Sequence, residues 1–439
     1  MNRLLDLWTE SPVASIAGRI QVAHILRGAL FIAVLLLGWV SLQPFADLGD
    51  ANAVDAAAGR GLTYATFGLL ALLSLVLVAG KHAEALRSFA SPPYLLFGAW
   101  ICINLVLSRD PTGSATRFTL TAFVFTALAT ALLLPASVRE LNRWLGIAVL
   151  SFLAICYLGI VIVPHLSIHM STDIAEWQLA GDWRGTFDHK NTASAVMAML
   201  VFVGIYLARS GAVLAGPLIT ALAVVFLFFA RGKTATGLCV FIFVLVELVA
   251  VAKTFRVRAA LCFTPLIVMN LLSVGTVISP TLAEISRYLP FDTTFTGRNE
   301  VWKFAVASIA QRPIFGYGYF AFWGTDFVRN VDPGDAIDDW VVIASHSHNG
   351  YLDTALTLGI PGLMLLIAVL VVVPLRNYHE ADMRGQATPL ARMFLRIWLF
   401  GVLLASLESF FLDRTDPIWF TFLIGVVGLH YVARFRTTS

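Results

Sequence analysis

Residues 345–375 read SHSHNGYLDTALTLGIPGLMLLIAVLVVVPL. From Leu356 to Leu375 no residue is charged, and that length matches the ~20 residues an α-helix needs to cross bilayer hydrocarbon. Just before this run stand His346, His348, Asn349 and Asp353. A base, an amide and a carboxylate at the edge of lipid carry a desolvation cost, so such a cluster reads as functional.

Outward from this stretch the apolar pattern recurs along the whole chain. Candidate spans lie near 28–45, 61–80, 94–108, 118–136, 145–164, 192–208, 212–230, 234–252, 259–278, 356–375, 393–412 and 418–433. Backbone groups in lipid must pair internally, so these runs are helices. With 58% hydrophobic and 13% charged residues and a mean hydropathy of +0.81, the expected fold is an all-α polytopic membrane protein. About twelve transmembrane helices form a single integral domain over residues 1–439. Residues 1–24 carry Glu10 and are not apolar enough for a cleaved signal peptide.

Lys and Arg orient the chain. With the N-terminus inside, sixteen fall on the side that includes Arg3, Lys81, Arg143, Lys253 and Arg436. Six (Arg60, Arg109, Arg117, Arg231, Lys233 and Arg414) fall in short loops on the other. Both termini are therefore expected in the cytoplasm. Two long loops, 165–191 and 279–355, then face outward as the candidate active face. The second is read as a loop domain with a short amphipathic helix at 300–312, begun after Gly297 and stopped by Pro313. The aromatic and glycine-rich stretch 314–323 suits a membrane interface or a sugar-binding surface, and the acidic 331–339 a hinge or lid.

The net charge of +3 is small and the cations are spread over many loops, which argues against nucleic acid. Cys102, Cys156, Cys239 and Cys262 lie in apolar runs without ligand spacing. His346 and His348 would need a third ligand to hold a metal, and no metal or other cofactor is expected.

Histidine exchanges protons near neutral pH, so His348 is a candidate general base on an acceptor hydroxyl, with capping of the following helix as the plain alternative. His346 and Asn349 stand beside it. Arg184, His189 and Lys190 surround the start of the sixth span, where a helix N-terminus and two cations suit phosphate, or where basic side chains merely snorkel. Arg231-Gly-Lys233-Thr234 fills an outward turn, and an anionic ligand would relieve the repulsion of its two cations. It is not a Walker A loop, because no strand precedes it. Arg298 contacts phosphate or pairs with a carboxylate. Glu247, Arg396 and Glu408 read as charges inside spans. Arg396 and Glu408 are about 18 Å apart by helical rise and cannot pair directly.

Five segments occur in order: Gly-Thr-Phe-Asp-His-Lys-Asn at 185–191, Arg-Gly-Lys-Thr-Ala at 231–235, Thr-Gly-Arg-Asn-Glu-Val-Trp at 296–302, Arg-Pro-Ile-Phe-Gly-Tyr-Gly-Tyr at 312–319 and His-Ser-His-Asn-Gly-Tyr-Leu-Asp at 346–353. In these the chain resembles the O-antigen ligase and polymerase superfamily of bacterial envelope proteins, nearest its exopolysaccharide-polymerase branch. The resemblance implies a GT-C-like, metal-independent, inverting glycosyltransferase of the bacterial inner membrane, acting on the periplasmic side. Its donor would be an undecaprenyl-pyrophosphate-linked glycan, and its acceptor a glycan or lipid A–core. By motif position His348 takes the family's histidine role and Arg184 and Arg231 its arginine roles. Arg298 matches a further arginine, and Lys190, Lys233, Asn349, His189 and His346 contribute to binding. Polymerisation of surface polysaccharide repeat units is the first reading, ligation to lipid A–core the second. A lipid-linked sugar transporter is the alternative of another class.

Overall fold

The computed structural model describes residues 12–435 except 43, 50–59, 175, 289–296, 330–340, 342–343 and 387. The acidic stretch 331–339 lies outside the described residues. Among the described residues the chain is helical throughout, with one isolated bridge between Ile168 and Trp183 in place of any sheet.

The long helices are α1 (Pro12–Val40), α2 (Arg60–Ala79), α3 (Pro92–Leu107), α4 (Pro111–Ala131), α5 (Val138–Ile162), α6 (Lys190–Arg209), α7 (Ala215–Ala230), α8 (Lys233–Val251), α9 (Phe255–Leu272), α10 (Arg298–Gln311), α11 (Gly350–Met383), α12 (Pro389–Leu404) and α13 (Pro417–Arg434). Eight of them are long and apolar enough to cross a membrane: α1 from Val22, α2 from Gly61, α5, α6, α8, α9, α11 and α13. Helices α3 and α7 are apolar but shorter. The chain is thus a multi-pass membrane protein.

Local chemistry marks where the helices begin. Asp110–Pro111, Thr388–Pro389 and Asp416–Pro417 each set a capping side chain before a proline at the first helical position. There the missing N–H costs nothing and the fixed φ suits the helix. Packing decides which helices are central. Over the apolar window, α13 is 89% buried and α6 78%, against 11% for α9. So α6 and α13, with the buried α12, form the interior, and α9 turns most of its surface outward.

The eleventh predicted span, 393–412, is too long. Helix α12 ends at Leu404, and Glu408 lies in the following loop. Buried Arg396 pairs instead with Glu247, which lies on the outer surface of the bundle. Arg396 on α12 donates to Glu247 on α8 at 2.5 Å, with Arg392 at 3.6 Å from the same carboxylate. Such a pair lets two charges persist within apolar helices.

The amphipathic helix expected at 300–312 is α10, which packs Val301, Trp302 and Ala305 inward. The aromatic stretch after it is not an open surface. Tyr317 and Tyr319 are buried, and segment 313–318 docks into a break in α11. Gly359 breaks that helix at φ 71° and ψ 177°. Leu356 and Thr357 give their carbonyls to the N–H groups of Tyr317 and Gly318, and Ile360 donates to the Pro313 carbonyl. A Cβ at Gly359 would fall 1.9 Å from the Ile314 carbonyl oxygen, which is why this crossing needs glycine.

Candidate functional site

The turn before α11 presents His348 in the left-handed region, at φ 54°. A non-glycine residue is held there only where its surroundings over-determine it. Here the Asp353 carboxylate accepts the Ser347 N–H at 3.1 and 3.2 Å, and Trp302 Nε1 donates to the Ser347 carbonyl at 2.9 Å. Ser347 Oγ donates to the Asn349 carbonyl at 3.0 Å. The turn is therefore tied to both the cap helix α10 and the membrane helix α11.

Asn349 is fully buried and caps α11. Its Oδ1 accepts from Tyr351 and Leu352, and its Nδ2 donates to the Ser406 carbonyl and to Asn270 Oδ1. Two acceptor and two donor positions are the full capacity of the amide, so Asn349 holds the helix start and has nothing left for a ligand. His346 is also turned inward. Its Nδ1 accepts the His348 N–H at 3.2 Å. Burial first, and then the charge of His348, push its pKa down to about 3, so it is a neutral acceptor.

The His348 ring is half-buried. Its Nδ1 lies 3.4 Å from Glu408 Oε2, and its Nε2 has no partner among the described residues. Glu408 Oε1 accepts from Arg298 Nη2 at 3.2 Å and from Asn191 Nδ2 at 3.1 Å. Burial pushes the Glu408 carboxyl up, but the His348 hydrogen bond and the Arg298 charge outweigh it and hold the pKa at about 2. Glu408 is an anion joining three of the motif segments. Arg298 is committed to it and to the Leu407 carbonyl.

Beside Glu408 opens a cleft of about 250 Å³ lined by Lys190, Asn191, Ser194, Arg231, Lys233 and Glu408, among others. Asp182, buried beneath it, accepts from Lys190 Nζ at 2.5 Å and Arg231 Nη1 at 3.1 Å, and so draws together cations 41 residues apart in sequence (231 − 190). Arg231 is the left-handed last cap of α7, at φ 54°, and Gly232 precedes α8 with no side-chain cap on its first N–H groups. Those N–H groups carry the positive end of the helix dipole. Ser194 is fully buried at the cleft wall, and its hydroxyl has no partner. A Cβ at residue 232 would sit 2.2 Å from Ser194 Oγ, so Gly232 leaves that hydroxyl its place. Exposed Arg231 and Lys233 and unused N–H groups thus meet at one cleft, a combination of donors that suits an anion with several oxygens.

Two other sequence candidates are placed differently. Arg184 is buried, and its guanidinium donates to the Phe187 carbonyl at 3.0 Å and the Ala46 carbonyl at 2.7 Å. It braces the first long loop and is not among the cleft residues. His189 caps α6 through Nδ1, and its Nε2 meets Glu176 at 2.9 Å, so both ring nitrogens are in use. Sequence reasoning missed Asp182, Asn191, Ser194 and the place of Glu408. The signal for Glu408 was a carboxylate between two serines, Ser406 and Ser409, at the end of an overlong apolar window.

Behind the histidine turn, an almost wholly apolar groove of about 640 Å³ runs between α9, α10 and α11. Leu266, Ile267, Val306 and Leu363 are among its lining residues, with Asn270 and Asn349 its polar ones.

Residues 191–367 match the O-antigen ligase family. That region contains Arg231, Lys233, Arg298 and His348 and begins at Asn191. The exopolysaccharide production protein ExoQ of Rhizobium meliloti (strain 1021) is 31% identical over 84 residues, 18% of this chain and 18% of that protein. The chain thus aligns with less than a fifth of that relative's length. Both matches point the same way: over residues 191–367 this membrane protein is similar to the O-antigen ligase family, and over a shorter stretch to an exopolysaccharide production protein.

Proposed function

We propose that this protein is a glycosyltransferase of the bacterial inner membrane, with twelve spans in a GT-C-like arrangement, both termini cytoplasmic and its two long loops periplasmic. It moves a glycan from an undecaprenyl-pyrophosphate donor to an acceptor sugar hydroxyl. The observation that carries this reading is the free Nε2 of His348 beside a cationic, uncapped helix end, the two linked through one carboxylate.

In the reaction, His348 Nε2 takes the acceptor hydroxyl proton as its oxygen attacks the anomeric carbon. The bond from that carbon to the phosphate oxygen breaks, and the lipid pyrophosphate leaves. Lys190, Arg231, Lys233 and the α8 N–H groups stabilise the charge that develops on it. Direct displacement inverts the anomeric centre, and the residues present supply the base and the leaving-group site without a metal. The apolar groove behind His348 suits the isoprenoid part of a lipid-linked substrate. Arg184, His189, His346 and Asn349 act by holding the loops and helix starts.

Polymerisation of repeat units is the first assignment. Ligation to lipid A–core uses the same geometry and differs only in acceptor. Glu247 and Arg396 pair with each other and Glu408 with Arg298, and uptake of labelled lipid-linked sugar into vesicles without new glycosidic bonds would favour the transporter reading. The test is polymer size in cells lacking the protein, read beside the lipid A–core pool. Single repeat units left on the carrier lipid identify a polymerase. Long chains on the carrier with unmodified lipid A–core identify a ligase. If neither change occurs, the proposal is wrong.

A further inference from the structure

We infer that Glu408 is the positioning residue for His348: it accepts the Nδ1–H, fixes the tautomer and so leaves Nε2 free to take the acceptor proton. This rests on the proposed role of His348 as base.

A carboxylate is out of place in the wall of an anion-binding cleft, since it repels the ligand that the surrounding cations attract. Arg298 and Asn191 both bond to one of its oxygens, Oε1. The other, Oε2, faces His348 Nδ1. A neutral imidazole carries its proton on one nitrogen only, and the acceptor at that nitrogen decides which. With a carboxylate at Nδ1, the proton stays there and Nε2 keeps its lone pair. When Nε2 takes the acceptor proton, the imidazolium that forms faces Glu408, which stabilises it without being protonated itself.

The backbone makes the arrangement rigid. The Gly350 N–H reaches the carbonyls of Ala405 and Glu408, at 2.8 and 3.2 Å. Asn349 Nδ2 donates to the Ser406 carbonyl at 2.9 Å and Arg298 to the Leu407 carbonyl at 2.5 Å. Every residue from Ala405 to Glu408 thus accepts a bond from the histidine turn or from the start of α10. His348 and Glu408 are 60 residues apart, yet these bonds join their segments directly.

The test is glycan transfer by the purified full-length protein in proteoliposomes. The donor is the lipid-linked glycan pool extracted from cells lacking the protein. Glu408→Gln keeps an oxygen for Arg298 and Asn191 but turns an NH₂ towards Nδ1, forcing the proton to Nε2. Its kcat is expected to fall about 10³–10⁴-fold, as when the carboxylate behind a catalytic histidine becomes an amide, with KM for the donor within about threefold. Because the amide imposes the wrong tautomer, Glu408→Gln should be no more active than Glu408→Ala despite its better fit. Added to His348→Ala, it should cost almost nothing more. Glu408→Asp, which keeps the charge, should recover at least a tenfold part of the loss, and it carries the test alone if the glutamine variant does not fold. The inference is overturned if Glu408→Gln keeps a tenth of the wild-type kcat, if its cost persists undiminished in His348→Ala, or if Glu408→Asp is no better than alanine. Full activity of His348→Ala would instead remove the base assignment itself.

Discussion

Replacing Arg184 separates bracing from catalysis. Its guanidinium makes two charge-assisted hydrogen bonds to carbonyls, Phe187 and Ala46, inside a fully buried site, and its Nε has no partner. Hydrogen bonds from a charged donor contribute about 1.5–3 kcal/mol each, so the pair is worth about 3–6 kcal/mol. Arg184→Ala removes both and leaves two carbonyls unpaired, in a loop where Asp47, Asp173 and Asp188 lose the charge that balances them. Thermal unfolding of the detergent-solubilised protein should show a loss of that order. Arg184→Lys should recover about half, since one ammonium cannot reach both carbonyls as a planar fork does. Transfer activity per folded molecule should stay within a few-fold of wild type in both variants. An alanine variant that unfolds like wild type but has lost a hundredfold in activity would refute the reasoning, and Arg184 would then belong among the residues touching substrate.

Further expectations rest on other contacts. Arg231→Ala and Lys233→Ala should each raise KM for the lipid-pyrophosphate donor about tenfold or more, the worth of one charge-assisted bond, and initial-rate kinetics against donor concentration would show it. Glu247→Ala leaves the buried Arg396 without its carboxylate and should destabilise the fold, seen as lost folded yield that Arg396→Met in the same chain restores. Gly359→Ala should cost at least about 2 kcal/mol, from a positive φ and a Cβ against the Ile314 carbonyl, and should expose segment 313–318 to protease. The Glu408 carboxyl, lowered from 4.5 to about 2 in the folded protein, binds protons more weakly there than in the unfolded chain. Its stabilisation is complete above about pH 4.5 and is lost as pH falls through 2. Glu408→Gln should therefore lower the melting temperature at pH 7, and the gap from wild type should close in acid.

Much of the architecture was open to reading because lipid imposes a one-dimensional rule. Apolar runs of fixed length must be helices, so the long helices fall where hydropathy puts them, and α10 follows from the period of its apolar residues between Gly297 and Pro313. The boundaries that failed were those where hydropathy carries no signal. Leu407, Phe410, Phe411 and Leu412 make 405–412 read as part of a span despite Ser406, Glu408 and Ser409, yet the helix ends at Leu404 and Ser406, Leu407 and Glu408 bond to the histidine turn and to Arg298. The aromatics at 315–320 look like an interface from composition alone. Only the break at Gly359 shows that they are the packing between cap and bundle.

The residue types of the site came from the sequence. Clustered Arg, Lys and His at helix mouths are costly near lipid and so stand out one by one. Their division of labour did not, because it depends on which partners use up each side chain's hydrogen bonds. Arg184 and Arg231 look alike in sequence, yet one is walled in by carbonyls and the other faces a cleft. Asn349 and His348 are neighbours, yet the amide is fully committed to a helix cap while the imidazole keeps a free nitrogen. Asp182 and Glu408 bind groups 49 and 60 residues away. Sequence by itself determined a helical membrane protein with a cationic, histidine-bearing face, because hydrophobicity and charge are properties of single residues. The tertiary structure decided which of those groups are free to act, because that is set by contacts between segments that no local pattern records.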